Sequence, residues 1–294
     1  MRYQIPKLFP AQSFPNLVIG VDAKNGGFPI ISQYLPVLHF NGDTQCFPLY
    51  WYEENKVQEQ SLFDFGIEPS DKYIRRDGIT DWILKEIRKR FGNSKAITKE
   101  HIFYYVYGIL HSPQYRERFA ADLKKSLPRI PIVDNVEDFM AFYKAGKALA
   151  DLHLNYEQVP PAPQVTIECA DQFNTGAAAE KRFFRVQKMA FAKNRDGKGK
   201  LTSDKSTIVY NEFITLRNIP AKAYDYVVNG KSAVEWIMER YAVTQDSKSL
   251  IVNDPNDWGK EHDKPTYIFD LLLSVINLSV QTIDIVDSLP KLNL

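Results

Sequence analysis

The sequence predicts an α+β fold with a β-rich N-terminal part, a central helical layer, a second β-rich and basic segment, and C-terminal helices. Three observations carry this reading. The first 75 residues hold short β-branched or aromatic runs punctuated by Gly, Pro and Asn-Gly. Between Thr80 and His153 four stretches show helical spacing behind recognisable caps. After Pro160-Pro161-Ala162-Pro163 short apolar runs return, and a long apolar stretch, 267–289, closes the pattern. Strands and helices therefore come in blocks, without the β–α alternation of a parallel sheet.

Residues 16–22 form a β-branched run, and 29–35 a weaker one. Leu38, His39 and Phe40 lead into Asn41-Gly42-Asp43, and 46–52 follows as an aromatic run. Asn-Gly between two such runs predicts a hairpin, because both central residues of a type I′ turn need positive φ. Pro48, with no N–H to give a ladder, is expected at an edge or bulge. Ile79-Thr80 reads as staple and N-cap for a helix carrying Trp82, Ile83, Ile87 and Phe91, stopped by Gly92. Thr98 opens a second helix over 101–110 whose apolar residues lie all round, so it should be buried. Ser112-Pro113 is an N-cap with proline at the first helical position. Tyr115, Phe119 and Leu123 then form a stripe opposite Arg116, Arg118, Lys124 and Lys125. A fourth helix runs from about Asp134 to His153 with Val136, Phe139, Met140 and Tyr143 inward.

Beyond the proline cluster, 165–169, 183–189 and 206–210 are expected strands, with 213–216 a fourth. Residues 193–200 read as a polar, glycine-bearing connection between the second and third. Ser232 and Glu235 form a capping box for a helix with Trp236, Ile237 and Tyr241. The final helix carries Asp270, Asn277, Gln281, Asp284 and Asp287, each costly in hydrocarbon, so it is expected to be a core helix and not a membrane span. The 294 residues suit one region, 1–294, or two lobes, 1–158 and 159–294. Cys46 and Cys169 cannot make a disulfide framework, and the first residues lack a signal peptide's apolar run, so a cytoplasmic location is expected.

Net charge is +1, but the average conceals segregation. Residues 181–205 hold nine Lys/Arg against two Asp, and 85–129 hold eleven basic against four acidic residues. Residues 43–71 and 130–180 are each net −6. A neutral chain with such blocks can present a basic face to phosphate and an acidic face elsewhere.

Motifs for common chemistries are missing. There is no Gly-x-x-x-x-Gly-Lys-Ser/Thr loop, no Gly-x-Gly-x-x-Gly, no Asn/Asp-Pro-Pro-Tyr, no Gly-x-Ser-x-Gly and no His-Glu-x-x-His. Asn25-Gly26-Gly27 is only a glycine turn. His39, His101, His111, His153 and His262 show no i+3 or i+4 pairing, so each reads as a satisfied core or surface histidine. Residues 253–258, with Asp263 near, read as an Asx/proline turn because calcium-loop spacing is not met. Glu168 and Asp171 lack the Glu-x-Lys partner of a nuclease site.

Several segments resemble a known family. They are 97–113 with its continuation to Pro131, 149–157, 228–233 with 235–241, 252–258, and upstream 38–40 with 42–48. Together they are similar to the C-terminal specificity region of type ISP restriction–modification enzymes, in order and over nearly the whole chain. The resemblance implies a target-recognition domain that reads double-stranded DNA for an adenine-N6 methyltransferase and a translocase/nuclease located elsewhere in the same enzyme. S-adenosylmethionine, ATP and magnesium are expected only in that remainder, with no cofactor and no catalytic residue in this chain.

Contacts are expected where side chains differ without breaking the core: Lys188, Lys193, Asn194, Arg195, Lys198, Lys200 and Lys205, with Arg75 and Arg76 on a separate loop. Lys198 and Lys200 beside glycines suit phosphate, while Arg195 and Asn194 can read guanine and adenine edges. The reading needs cations distant in sequence to share one positive surface. Two alternatives stay open: a module docking the other enzyme domains, and a stand-alone metal-dependent nuclease using Glu168, Asp171 and Asp196.

Overall fold

The computed structural model describes residues 5–22, 28–36, 44–55, 72–169, 177–195, 197 and 200–292. Backbone contacts divide the chain into two compact units: Met1–Leu154 with Ile285–Leu294, and Asn155–Asp284.

In the first unit a one-turn helix α1 (Ile5–Leu8) precedes β1 (Val18–Asp22), which is buried at all five positions. β2 (Pro29–Ser32) and β3 (Thr44–Pro48) flank it antiparallel, in the order β2-β1-β3. Pro48 ends an edge strand, where a missing N–H breaks no ladder. The aromatic run expected at 46–52 is two strands, because the chain changes sheets at Leu49: β4 (Tyr50–Glu54) pairs with β5 (Tyr73–Asp77). Asn16 causes the switch. Its amide donates to Leu8 O at 2.8 Å and Tyr50 O at 2.7 Å, and its Oδ1 accepts from Tyr50 N at 3.0 Å, standing in for a neighbouring strand. The expected hairpin at 38–43 and the glycine turn at 25–27 lie outside the described residues.

The caps read from sequence are in place. Thr80 Oγ1 accepts from Ile83 N to open α2 (Asp81–Arg90), and Gly92 follows its end at φ +66°. Trp82, however, is 69% exposed, so only Ile87 of that helix is fully buried. Thr98 and His101 form a reciprocal cap on α3 (Lys99–His111), of which nine residues are buried. Ser112 caps α4 (Pro113–Arg118), which ends a turn earlier than the stripe suggested, although Tyr115 and Leu123 are both buried. Arg116 departs from the expected solvated face: its guanidinium sits 4.9 Å from the Phe28 ring and is partly buried. The long α5 (Val136–Leu154) packs on α3. Tyr105 stacks on Phe139 at 4.5 Å, donates to Pro131 O at 2.7 Å and accepts from Val133 N at 3.1 Å, so its buried hydroxyl is satisfied.

The second unit is built on a four-stranded antiparallel sheet. β6 (Thr166–Cys169) precedes α6 (Ala177–Phe183), and then β7 (Ala190–Arg195), β8 (Leu201–Val209) and β9 (Ile214–Arg217) complete the order β6-β9-β8-β7. A short pair, β10 (Val227–Val228) and β11 (Lys231–Ser232), leads into α7 (Ala233–Arg240) through the Ser232–Glu235 capping box. A second short pair, β12 (Thr244–Gln245) and β13 (Val252–Asn253), precedes α8 (Asn256–Glu261). α9 (Tyr267–Asp287) then supplies the spine of the core, with Leu272 and Ile276 fully enclosed. It is long and apolar enough to cross a bilayer, yet most of it is buried among this unit's own side chains.

The strand expected at 183–189 is absent, and the reason is visible. Asn211 Nδ2 donates to Phe183 O at 2.7 Å and Arg185 O at 2.9 Å, and Tyr210 Oη donates to Phe184 O at 2.8 Å. Asn256 holds Val186 N and O at 2.9 and 2.8 Å. Remote side chains take the backbone groups a ladder would have used.

Candidate nucleic-acid interface

The feature that positions the predicted contacts is the β7–β8 hairpin. At its base Ala190 and Phe191 pair with Val209 and Ile208, and Ile208 is fully enclosed in the core. The register then shifts between Phe191 and Ala192, which next pairs with Asp204, so 205–207 bulge out. β9 meets β8 only at Ile208 and Val209. Beyond that point Ala192–Arg195 and Leu201–Asp204 form a two-stranded ribbon. Asp204 fastens the bulge: its carboxylate accepts from Ser206 Oγ at 2.6 Å, Ser206 N at 2.9 Å and Asn194 Nδ2 at 3.2 Å. Hydrogen bonds from Ser206 hold that carboxyl below its ordinary range.

Strand alternation sorts the ribbon's side chains. Lys193 and Arg195 share one face with Ser203 and Leu201, and Lys193 Nζ donates to Ser203 Oγ at 3.0 Å. Asn194 lies on the other face with Asp204. Both strands are exposed here, with Leu201 58% accessible. The sequence reading therefore needs one correction: Lys193, Asn194 and Arg195 lie on a strand and not in a connection. Asn194 and Arg195 stand on opposite faces of the ribbon. Lys188 is exposed just before β7, and Lys200 just before β8. Lys198, with Asp196 and Gly199, lies outside the described residues.

Three other cations of the block are held by carboxylates. Lys205 pairs with Glu235 at 2.9 Å and lies 5.1 Å from the Tyr224 ring, tying the bulge to α7. Arg185 pairs with Asp254 at 2.7 Å and Lys181 with Asp263 at 3.5 Å. Burial pushes the Asp254 carboxyl up, but hydrogen bonds from Asn256 and Arg185 outweigh it and keep the pKa low. This explains the Asp/Asn cluster at 253–257 as a clamp on 185–186. Arg75 and Arg76 lie on β5 and not on a loop. Arg75 stacks 4.4 Å over Tyr50, and Arg76 Nε meets Glu53 at 3.0 Å. In the basic block 85–129 Arg88 donates to Ile97 O, Arg90 pairs with Asp134 at 2.6 Å, and Lys99 bridges Asp77 and Asp81.

Among the described histidines, His101 caps α3 and His262 stacks on Trp258 at 4.2 Å. His153 Nδ1 meets Tyr107 Oη at 2.8 Å. His111 is a correction to the satisfied-histidine reading. Its Nδ1 donates to Tyr107 O at 2.9 Å, but its buried Nε2 has no hydrogen-bond partner. Glu168 pairs with Arg217 at 2.6 Å across β6 and β9, and Asp171 lies outside the described residues. No group of three or more His, Cys, Asp or Glu is placed to hold a metal among the described residues.

The sequence reading missed the β12–β13 hairpin, whose tip exposes Leu250, Ile251 and Val252. The available signal was that apolar triplet directly after the turn-forming Asp246-Ser247-Lys248-Ser249.

The family described as the Type ISP C-terminal specificity domain matches residues 1–271. Over 100% of its length the chain is similar to the ATP-dependent Type ISP restriction–modification enzyme LlaBIII bound to DNA, at 36% identity and a TM-score of 0.76, covering 17% of that chain. A nuclease-deletion mutant of the Type ISP restriction–modification enzyme LlaGI, in complex with a DNA substrate mimic, matches 98% of the chain at 34% identity and a TM-score of 0.69, with 22% of that chain covered. The DrdV–DNA complex matches 100% of the chain at 28% identity and a TM-score of 0.74, with 26% of that chain covered. The chain thus spans no more than 26% of the length of any of these three. No curated protein matches it.

Proposed function

This chain belongs to the Type ISP C-terminal specificity domain family, and from that premise we propose that it recognises a double-stranded DNA site. It holds the site for an adenine-N6 methyltransferase and a translocase/nuclease carried by the rest of a restriction–modification enzyme. S-adenosylmethionine, ATP and magnesium belong to that remainder, and the site of action is the cytoplasm, where the DNA is. The similarity to solved enzymes bound to DNA supports the reading.

One observation in the chain itself carries it: a two-stranded ribbon that leaves the sheet with Lys193 and Arg195 on a single exposed face. A β-ribbon fits the major groove, and cations on one face meet phosphates while an arginine reads a guanine edge. Arg195 takes the guanine-reading role, and Lys188, Lys193, Lys198 and Lys200 take phosphates. Asn194 faces away from Arg195 and serves the phosphate backbone or a second approach. Arg75 packs over Tyr50, and Arg76 and Lys205 pair with carboxylates, so these three serve the fold where they stand.

The test is an anisotropy titration of the 294-residue chain against random-sequence duplexes at two salt concentrations. With four phosphates neutralised, log affinity falls against log salt with a slope of about −4. A chain that binds no duplex at low salt, or binds with a flat salt dependence, would sink the reading.

A further inference from the structure

The β12–β13 hairpin is built around an unusual tip. Leu250, Ile251 and Val252 are 67, 68 and 56% exposed in succession. Leu250 adopts φ +59°, a left-handed conformation that a leucine occupies only at a cost of about 1 kcal/mol. The loop around it is fully tied. Asp246 Oδ1 accepts from Lys248 N at 3.0 Å, Ser249 N at 2.7 Å and Ser249 Oγ at 3.0 Å. Leu250 N donates to Asp246 O at 2.9 Å, Asp246 N donates to Ile251 O at 3.0 Å, and Gln245 Nε2 donates to Leu250 O at 3.0 Å. A preformed loop that holds an apolar side chain strained and in water is a feature kept for use, since strain of this kind gathers at ligand clamps.

The hairpin also shares its base with the DNA ribbon. Val243 N donates to Gln187 O at 2.9 Å, Asp254 pairs with Arg185 at 2.7 Å, and Asn256 brackets Val186. All three anchors grip 185–187, directly before Lys188 and β7. The hairpin, residues 244–253, carries one cation and one anion, so no net charge at the tip opposes a polyanion. Lys248 is exposed, Gln245, Ser247, Ser249 and Asn253 are neutral hydrogen-bonding groups, and the carboxylate of Asp246 is turned onto its own loop.

We propose that this tip is an apolar wedge which Leu250 and Ile251 press between base pairs of the bound duplex, opening a base step beside the ribbon's contacts. The proposal rests on the DNA-binding reading and adds a second contact of a different kind. Ribbon cations act through phosphates and depend on salt, whereas a wedge displaces water from a base stack and depends on salt hardly at all.

The experiment uses the 294-residue chain and a pool of 30-base-pair random duplexes that the chain itself has enriched. Leu250→Ser/Ile251→Ser is expected to lose at least tenfold in affinity for that pool with an unchanged salt slope. Leu250→Gly removes side chain and strain together. It is expected to keep or raise the melting temperature while losing affinity. A double variant that binds within twofold of the parent overturns the wedge, and so does a Leu250→Gly that melts lower without losing affinity. If the double variant keeps its DNA affinity but changes self-association in sedimentation, the tip faces protein, and the wedge falls while the DNA reading stands. A parent chain that enriches no duplex overturns that reading itself, and the wedge with it.

Discussion

Gly146→Ala is expected to melt about 10 °C below the parent chain, a loss of about 3 kcal/mol. In a helix interior this exchange ordinarily stabilises by roughly 0.5–1 kcal/mol, because glycine has more freedom to lose. Here a Cβ at 146 would lie 1.9 Å from Tyr104 O and 2.7 Å from Gly108 N. Gly108 is the matching position on α3, where a Cβ would lie 2.3 Å from Phe142 O. Both obstacles are backbone, which cannot rotate aside, so α3 and α5 must separate. Overpacking of this kind costs typically 1–3 kcal/mol and more where backbone must move, which outweighs the propensity gain. Separation also strips contact from Tyr105, Phe139 and Phe142, all buried between these helices. Gly197→Ala is the control, since nothing lies within 4 Å of its Cβ. Melts of the two variants within 2 °C of each other would contradict the packing argument.

The second large effect is on pH. His111 and His153 lie side by side, ring centroids 5.4 Å apart, in the interior of the first unit. Burial pushes the His111 pKa down to about 4, and the neighbouring Arg116 charge adds to this, while the bond to Tyr107 O opposes it. Burial, and then the charge of His111, push His153 well below the ordinary value. Above pH 6.5 both rings are neutral folded or unfolded, so stability does not depend on them. Below it the unfolded chain takes up protons that the folded chain refuses, and stability falls as pH drops toward 4. By pH 5 the loss from His111 is about 2 kcal/mol, before most carboxylates titrate, and His153 adds to it in the same direction. Urea midpoints between pH 7 and 5 should therefore decline steeply for the parent and less for His111→Phe. A flat midpoint over that range would show that the rings protonate freely in the folded protein.

The two histidines also show where reading a sequence runs out. Thr80, Thr98, Ser112-Pro113 and the Ser232–Glu235 box were legible because a cap is decided within four residues. Family membership was legible from the longer quoted segments, and the family match agrees with it. Polar strands were not. Lys193–Arg195 and Tyr73–Asp77 have water on the faces that would otherwise show alternation, so nothing in their composition distinguishes strand from loop. Residues 183–189 have strand composition, yet Asn211, Tyr210 and Asn256, all 26 to 70 residues away, take their backbone groups. Charge was the least legible of all. The basic block at 181–205 counts nine cations, but Asp263, Asp254 and Glu235 engage three of them from outside it.

The salt slope of Lys193→Ala/Arg195→Ala bears most directly on the claim that the ribbon grips the duplex. If Lys193 meets a phosphate and Arg195 a guanine edge, the double variant loses affinity and its log–log slope becomes shallower by about 1, with the melting temperature unchanged. Lys205→Ala, which loses the ion pair to Glu235, should leave the slope alone. A double variant that keeps the parent's slope and affinity would contradict the account, because DNA would then be held by some other surface of the chain.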